Sequence, residues 1–210
     1  MWYVMRVPTG MEQSYQKKCE QRIEAPVLEK SFFPYYDEMR KQGGVWTIRP
    51  CVLFPGYVFM QTREPEELQS RLRQIPDWKS LVTVGTEIVP ITPAEEALLR
   101  ELGREEQVIP VSRGIIQKNE IIVTEGPLKG KEAYIRRIDR HKRRAYLELH
   151  LASEVVEAGV SLEIYAKNQP EKKYKTEFFN GKHAVVSLED GQTAQNIQNI
   201  YMETKKQKGE

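Results

Sequence analysis

The sequence predicts an α+β front half, with helices on one face of an antiparallel sheet, followed by a small all-β barrel. Three observations predict it. Strand-like and helix-like segments alternate up to Gly103. A polar, proline-containing passage over residues 104–117 then ends that alternation. Residues 118–167 carry only short β-branched and aromatic runs between turn residues. At 210 residues the chain has room for two such bodies.

Trp2 to Val7 reads as a first strand. Thr9-Gly10-Met11-Glu12 has the S/T-x-x-E form of a capping box, and Tyr15, Cys19 and Ile23 follow at steps of four. A helix is predicted there, ended by Pro26. Ser31 to Met39 and Val45 to Gln61 are extended, on either side of the flexible Lys41-Gln42-Gly43-Gly44. Pro65 announces a second helix with Leu68, Leu72 and Ile75 on its inner face. Trp78 to Val84 reads as another strand. Thr92-Pro93-Ala94-Glu95 is a second capping box, Leu98, Leu99 and Leu102 supply a buried stripe, and Gly103 supplies the stop.

In the rear half, Glu125 to Ile138 (EGPLKGKEAYIRRI) reads as a tight basic β-hairpin. Gly126 and Gly130 can take the positive φ that its turns need, and Pro127 fixes its own φ between them. Residues 168–210 form a C-terminal extension. Phe178-Phe179-Asn180-Gly181-Lys182 followed by Ala184 to Leu188 has the form of a hairpin with an Asn-Gly turn, and Lys205 to Glu210 reads as a disordered end.

Composition narrows the function. Charged residues make up 30% and hydrophobic ones 40%, and no apolar run approaches the ~18–20 residues that cross a bilayer. A soluble, cytoplasmic protein with no membrane partner is expected. MWYVMRV lacks a basic n-region and a cleavage site, so it is a strand and not a signal peptide. Cys19 and Cys51 are two lone thiols, which fits a reducing compartment. His141, His150 and His183 pair with no cysteine or acidic cluster at metal-ligand spacing, so neither metal nor cofactor is expected. There is no phosphate loop, HExxH, nucleophile elbow or triad grouping. The acidic pairs Glu66-Glu67 and Glu95-Glu96 fall at helix starts, and Glu105-Glu106 in the linker. An enzyme is not expected.

Charge points to a polyanion. Between Pro127 and Arg144 stand eight basic residues and two acidic ones, a local +6 in a chain whose total is +2. Eight like charges in so short a stretch repel one another unless something offsets them. Lys129, Lys131, Arg136, Arg137, Arg140, Lys142, Arg143 and Arg144, with His141 among them, are the candidate RNA-binding residues. Arg and Lys at the Asp139 to Arg144 turn suit the phosphates of a folded RNA, where shape and backbone dominate recognition. Tyr134 and Tyr146 read either as stacking platforms or as core.

Three stretches carry a resemblance: WYVMRV at residues 2–7 with TGME at 9–12, LFPGYVFM at 53–60, and EGPLKGKEAYIRRI at 125–138. In this order and spacing they resemble the NusG family of transcription elongation and antitermination factors. An N-terminal NGN domain is followed there by a KOW domain, an SH3-like barrel. The resemblance covers roughly residues 1–165 and implies an NGN domain over 1–103, a linker over 104–117 and a KOW domain over 118–167. HKRRAYLEL at 141–149 and VSLEI at 160–164 look like the specialised antiterminator group called LoaP. Leu128 stands where housekeeping members carry an aromatic residue that meets a ribosomal protein or termination factor, and Ala133 where the motif usually has glycine.

The resemblance implies that the front half binds the clamp helices of the largest RNA polymerase subunit, as a monomer, with nontemplate DNA as a further contact. Tyr3, Phe54, Pro55, Gly56 and Tyr57 are the candidate polymerase-binding residues, with aromatics as anchors and Gly56 permitting close backbone approach. Successive strand residues alternate faces, so Phe54 and Tyr57 serve one surface only if Pro55-Gly56 is a bulge. The expected function is a processivity or antitermination factor that also holds an RNA hairpin. The alternatives are a general elongation factor acting through protein partners alone, and a ribosome-associated KOW protein.

Overall fold

Trp2, Tyr3, Val4 and Met5 are all buried, so the first strand runs through the middle of a core and not along its surface. The computed structural model describes residues 1–43, 45–77, 79–152, 154–165, 174–179 and 182–187. The front half contains β1 (Trp2–Arg6), α1 (Glu12–Glu20), β2 (Lys30–Phe32), β3 (Tyr35–Gln42), β4 (Val45–Val52) and β5 (Tyr57–Gln61). It continues with α2 (Pro65–Leu72), the short β6 (Thr83–Val84) and β7 (Glu87–Ile88), and α3 (Pro93–Gly103). The rear contains β8 (Val108–Ile109), β9 (Ser112–Gln117), β10 (Glu120–Glu125), β11 (Ile135–Asp139), β12 (Arg144–Leu151) and β13 (Glu154–Ile164). Two further strands are β14 (Tyr174–Phe179) and β15 (Lys182–Ser187). The α+β class read from the sequence is the one observed.

Chain contacts group the protein into two units: residues 1–39 with 50–167, and residues 40–49 with 168–210. In the first unit β5 lies between β1 and β2, all antiparallel. Alternation sends Trp2, Val4 and Phe59 to one face, with Phe32 and Phe54. Tyr3, Met5, Val58 and Met60 go to the other, where Tyr15 and Cys19 of α1 and Leu68 and Leu72 of α2 meet them. The first face holds an aromatic cluster, Trp2 edge-on to Phe32 at 4.7 Å and Phe32 stacked on Phe59 at 5.3 Å. It is continuous with Leu98, Leu99 and Leu102 of α3 and with Leu128, Leu147, Leu149 and Leu162 of the rear strands. Burying each such side chain contributes about 1.5–3 kcal/mol.

The rear strands form one sheet in the order β10-β9-β13-β12-β11. β9 and β10 are joined by Lys118 and Asn119, both at positive φ (50° and 70°), the backbone of a two-residue hairpin turn. β13 pairs antiparallel with β12 from Arg144–Ser161 to Leu151–Glu154, and parallel with β9 through Leu162–Ser112 to Ile164–Gly114.

Four sequence expectations change. The capping box at Thr9 does not form, because α1 begins at Glu12 with Met11 as its N-cap and no side-chain cap bond. The strand expected over 78–84 shrinks to β6, with Leu81 bridged to Met5, and Trp78 lies outside the described residues. The passage expected as a linker contributes β8, parallel to β3 through Tyr35–Val108, and β9. Finally, 125–138 is not a hairpin. β11 pairs with β12, and a single 3-10 turn at Glu132–Tyr134 intervenes. Leu128 is fully buried and its amide donates to Ser112 Oγ at 3.1 Å, so the loop folds inward. At Gly126 (φ +89°) a Cβ would lie 2.6 Å from Ser112 Cα, which only glycine avoids. The second capping box is present: Glu95 N donates to Thr92 Oγ1 and Thr92 N to Glu95 Oε2, both at 3.3 Å.

In the second unit β15 pairs antiparallel with β14, Phe179 opposite Lys182, and with the 40–49 segment, Val185 opposite Ile48 and Val186 opposite Thr47. The expected hairpin is therefore present as two strands. Its Asn180-Gly181 corner and the expected disordered end, 205–210, lie outside the described residues.

Candidate functional site

Leu53-Phe54-Pro55-Gly56-Tyr57 is a turn between β4 and β5, not a bulge within one strand. Tyr57 N donates to Phe54 O at 3.2 Å across it. Pro55 at the second corner position and Gly56 at the third, with φ +87°, match a type II turn. Gly56 makes the close approach expected of it: a Cβ would lie 3.1 Å from Val7 O, and Gly56 O accepts from Val7 N at 2.9 Å. Its amide donates to Glu12 Oε1 at 2.7 Å. Glu12 is 4% exposed and also accepts from Gly10 N at 3.1 Å. Glu12 thus ties α1 to this turn, a role its cap-like spacing did not announce.

The five polymerase-binding candidates fall into two sets. Tyr3, 2% exposed, faces α1 and α2, and Phe54, 1% exposed, belongs to the aromatic cluster. Both are core residues in this arrangement and present no surface. Tyr3 reaches its face through the alternation of β1, whereas Phe54 reaches the opposite one from the turn that follows β4. Pro55 is exposed, Gly56 is buried backbone, and Tyr57 is half-buried. Tyr57 OH donates to Glu154 Oε2 at 2.8 Å and accepts from Arg6 Nη2 at 3.3 Å. Burial first, and the Glu154 hydrogen bond second, raise the Tyr57 phenol above its ordinary value. Arg6 is itself paired with Glu154.

The nine RNA-binding candidates lie along the rear sheet, and most of their charge is met within the chain. Arg137 is held by both oxygens of Glu157 at 3.1 and 2.6 Å, with its guanidinium carbon 3.4 Å from the Tyr146 ring centroid. Arg136 pairs with Glu148 at 3.0 Å, Arg143 with Glu163 at 2.6 Å, and Lys142 with Asp139 at 3.9 Å. The Lys142 amide, donating to Asp139 Oδ1, holds that carboxyl below its usual range. Lys131 pairs with Glu101 of α3 at 2.7 Å, and Arg144 with Glu38 of β3. Lys129, Arg140 and His141 are exposed; the His141 amide donates to the Asp139 carboxylate, while Lys129 and Arg140 meet no carboxylate among the described residues. The positive field is therefore weaker than the sequence count implies. Of the two tyrosines, Tyr134 is 45% exposed, while Tyr146 lies under Arg137.

Three carboxylates that the sequence did not single out join front and rear, Glu38 to Arg144, Glu101 to Lys131 and Glu154 to Arg6, and the capping-box Glu95 adds a fourth link to His150 at 3.3 Å. Beside the first pair, Met39 N donates to Ser161 Oγ at 3.0 Å. Among the described residues no group of three or more His, Cys, Asp or Glu is placed to hold a metal ion, and no helix is long and apolar enough to cross a membrane.

Residues 1–100, just under half of the chain, match the family model described as "Transcription termination factor nusG". The solved structure "Domain interaction in Thermotoga maritima NusG" shares the fold with a TM-score of 0.51 at 20% sequence identity, over 77% of this chain and 92% of that one. No curated protein matches the sequence.

Proposed function

We propose that this chain is a transcription factor of the NusG type, holding RNA polymerase through its front half and structured RNA through its rear strands. The observation that carries the reading is the family match over residues 1–100, the stretch that contains the Phe54 to Tyr57 turn. The fold shared with the Thermotoga protein supports it. Residues 1–103 then act as the NGN domain, 118–167 as the KOW domain, and the clamp helices of the polymerase are the partner. Pro55 and Tyr57 are the residues of the turn that a partner can reach. Glu154 occupies Tyr57 and Arg6 in this arrangement, so the rear strands and the polymerase compete for them. Lys129, Arg140 and His141 are the part of the basic rim open to RNA. The finer assignment, to LoaP-like antiterminators, rests on HKRRAYLEL at 141–149 and VSLEI at 160–164.

One observation favours a second reading. Six of the nine rim residues already have a carboxylate partner, which suits a general elongation factor acting through proteins alone. Transcription with purified polymerase, with and without a leader RNA hairpin, separates the two. A hairpin-dependent gain in read-through supports the first reading, an effect indifferent to the hairpin supports the second, and no effect with no polymerase recovered in a pull-down removes both.

A further inference from the structure

Arg140, His141, Lys142 and Arg143 join β11 to β12, four residues in which every side chain is basic. Like charges so close together repel one another and favour an open loop. The chain holds them in a tight turn instead, with Arg143 N donating to Arg140 O at 3.3 Å. Two devices oppose the repulsion. At the entrance, the Asp139 carboxylate accepts the amides of His141 and Lys142, the second at 2.9 Å. At the exit, Arg143 takes a φ of +50°, which glycine or asparagine would adopt with less strain. Its carbonyl accepts from Leu162 N at 2.9 Å, and its guanidinium reaches Glu163 Oε1 at 2.6 Å. Glu163 is buried, and its other oxygen lies 3.6 Å from Arg113 Nε, so one carboxylate joins the turn to β9.

The basic residues of this turn are therefore not equivalent. The Arg143 side chain is 18% exposed and committed to Glu163, whereas Arg140 and His141 are exposed. Groups held in place before a ligand arrives lose less freedom on binding, so affinity rises without any added contact. We propose that Asp139 and Arg143 are positioning residues of the RNA site, holding the turn so that Arg140 and His141 meet the RNA backbone already in place. Neither Asp139 nor Arg143 touches RNA itself. The inference rests on the reading of the rim as an RNA site, and it reverses the sign expected from charge alone. Asp139 and Glu163 are anions beside a site for a polyanion, yet both raise its affinity.

The test follows a perfectly paired RNA hairpin of arbitrary sequence binding to the full chain, by fluorescence anisotropy over a range of salt. Were charge alone at work, Asp139→Ala and Asp139→Asn would tighten binding equally, since each removes one anion. Positioning separates them. Asp139→Ala should bind roughly five- to tenfold more weakly, because two amides lose their acceptor and the turn must be ordered on binding. Asp139→Asn keeps a side-chain oxygen for those amides and should bind as well as the wild type or better. Arg143→Gln adds a second readout: affinity should fall while the slope of log Kd against log salt stays that of the wild type. Arg140→Gln, which removes a phosphate contact, should instead reduce that slope by about one. Should Arg143→Gln misfold, the Asp139 pair decides alone. Equal binding by Asp139→Ala and Asp139→Asn, or a slope reduced in Arg143→Gln, overturns the positioning roles while leaving an RNA site in place. No binding by any form, the wild type included, overturns the RNA reading itself, and the inference with it.

Discussion

The amide of Gly56 and the carboxylate of Glu12 meet at 2.7 Å in a site from which water is nearly excluded. The same carboxylate takes the Gly10 amide, so one side chain satisfies donors from two separate turns. Removing it leaves both donors unpaired, each unsatisfied group costing about 1–3 kcal/mol. Glu12→Ala should therefore lower the urea midpoint well beyond Glu12→Gln, which retains an acceptor. Equal midpoints for the two variants would show that the bonds are dispensable.

Gly126 and Gly130 both have positive φ, but only the first is crowded. Gly130→Ala meets nothing within 4 Å and pays only the left-handed backbone strain, roughly 1–2 kcal/mol. Gly126→Ala adds a collision with the Ser112 backbone and should destabilise considerably more. Thermal melts of the two variants compare them directly.

Glu154 holds Arg6 and Tyr57, so Glu154→Gln should free the Phe54 to Tyr57 turn. Polymerase retained in a pull-down should rise several-fold, the scale of an ordinary coupling between sites. A variant no better than wild type would remove Glu154 from the competition proposed above. The ion pair is too exposed, at 62% on Arg6, for its loss to unfold the chain.

Cys19 is 1% exposed, and burial pushes its thiol up to about 11 from 9.0. Iodoacetamide on the native protein should label the half-buried Cys51 well before Cys19, as mass spectrometry of the peptides would show. The raised value has a stability consequence with a definite sign. Below pH 9 both states keep the proton, and as pH rises towards 11 only the unfolded chain loses it, so stability falls over that window. A melting temperature flat across the same window in wild type, but not in a Cys19→Ser control, would contradict this.

The helices were legible because their signals are local: Thr92 with Glu95, and leucines four apart, lie within one turn of each other. The errors come from residues whose partners are distant in sequence. Glu12 has cap-like spacing, but besides the nearby Gly10 amide its carboxylate takes that of Gly56, 44 residues on. Tyr3 looked like an exposed anchor because nothing in WYVMRV reveals that helices cover one face of β1 and a second core the other. The basic count was correct as a count, yet Glu38, Glu148, Glu157 and Glu163 that offset it sit on other strands. Turn chemistry placed Gly126 and Gly130 at positive φ as expected, while the burial of Leu128 turned the loop inward.

β13 is flanked on both sides, by β12 over eight residue pairs and by β9 through Ser112 to Gly114. A chain growing on the ribosome therefore holds β9 and β10 as an unsupported ribbon until Ile164 has left the exit tunnel. Stop codons or pauses ahead of that point strand two open edges at once, so expression of shortened forms ending within β13 should yield aggregates, not soluble front halves.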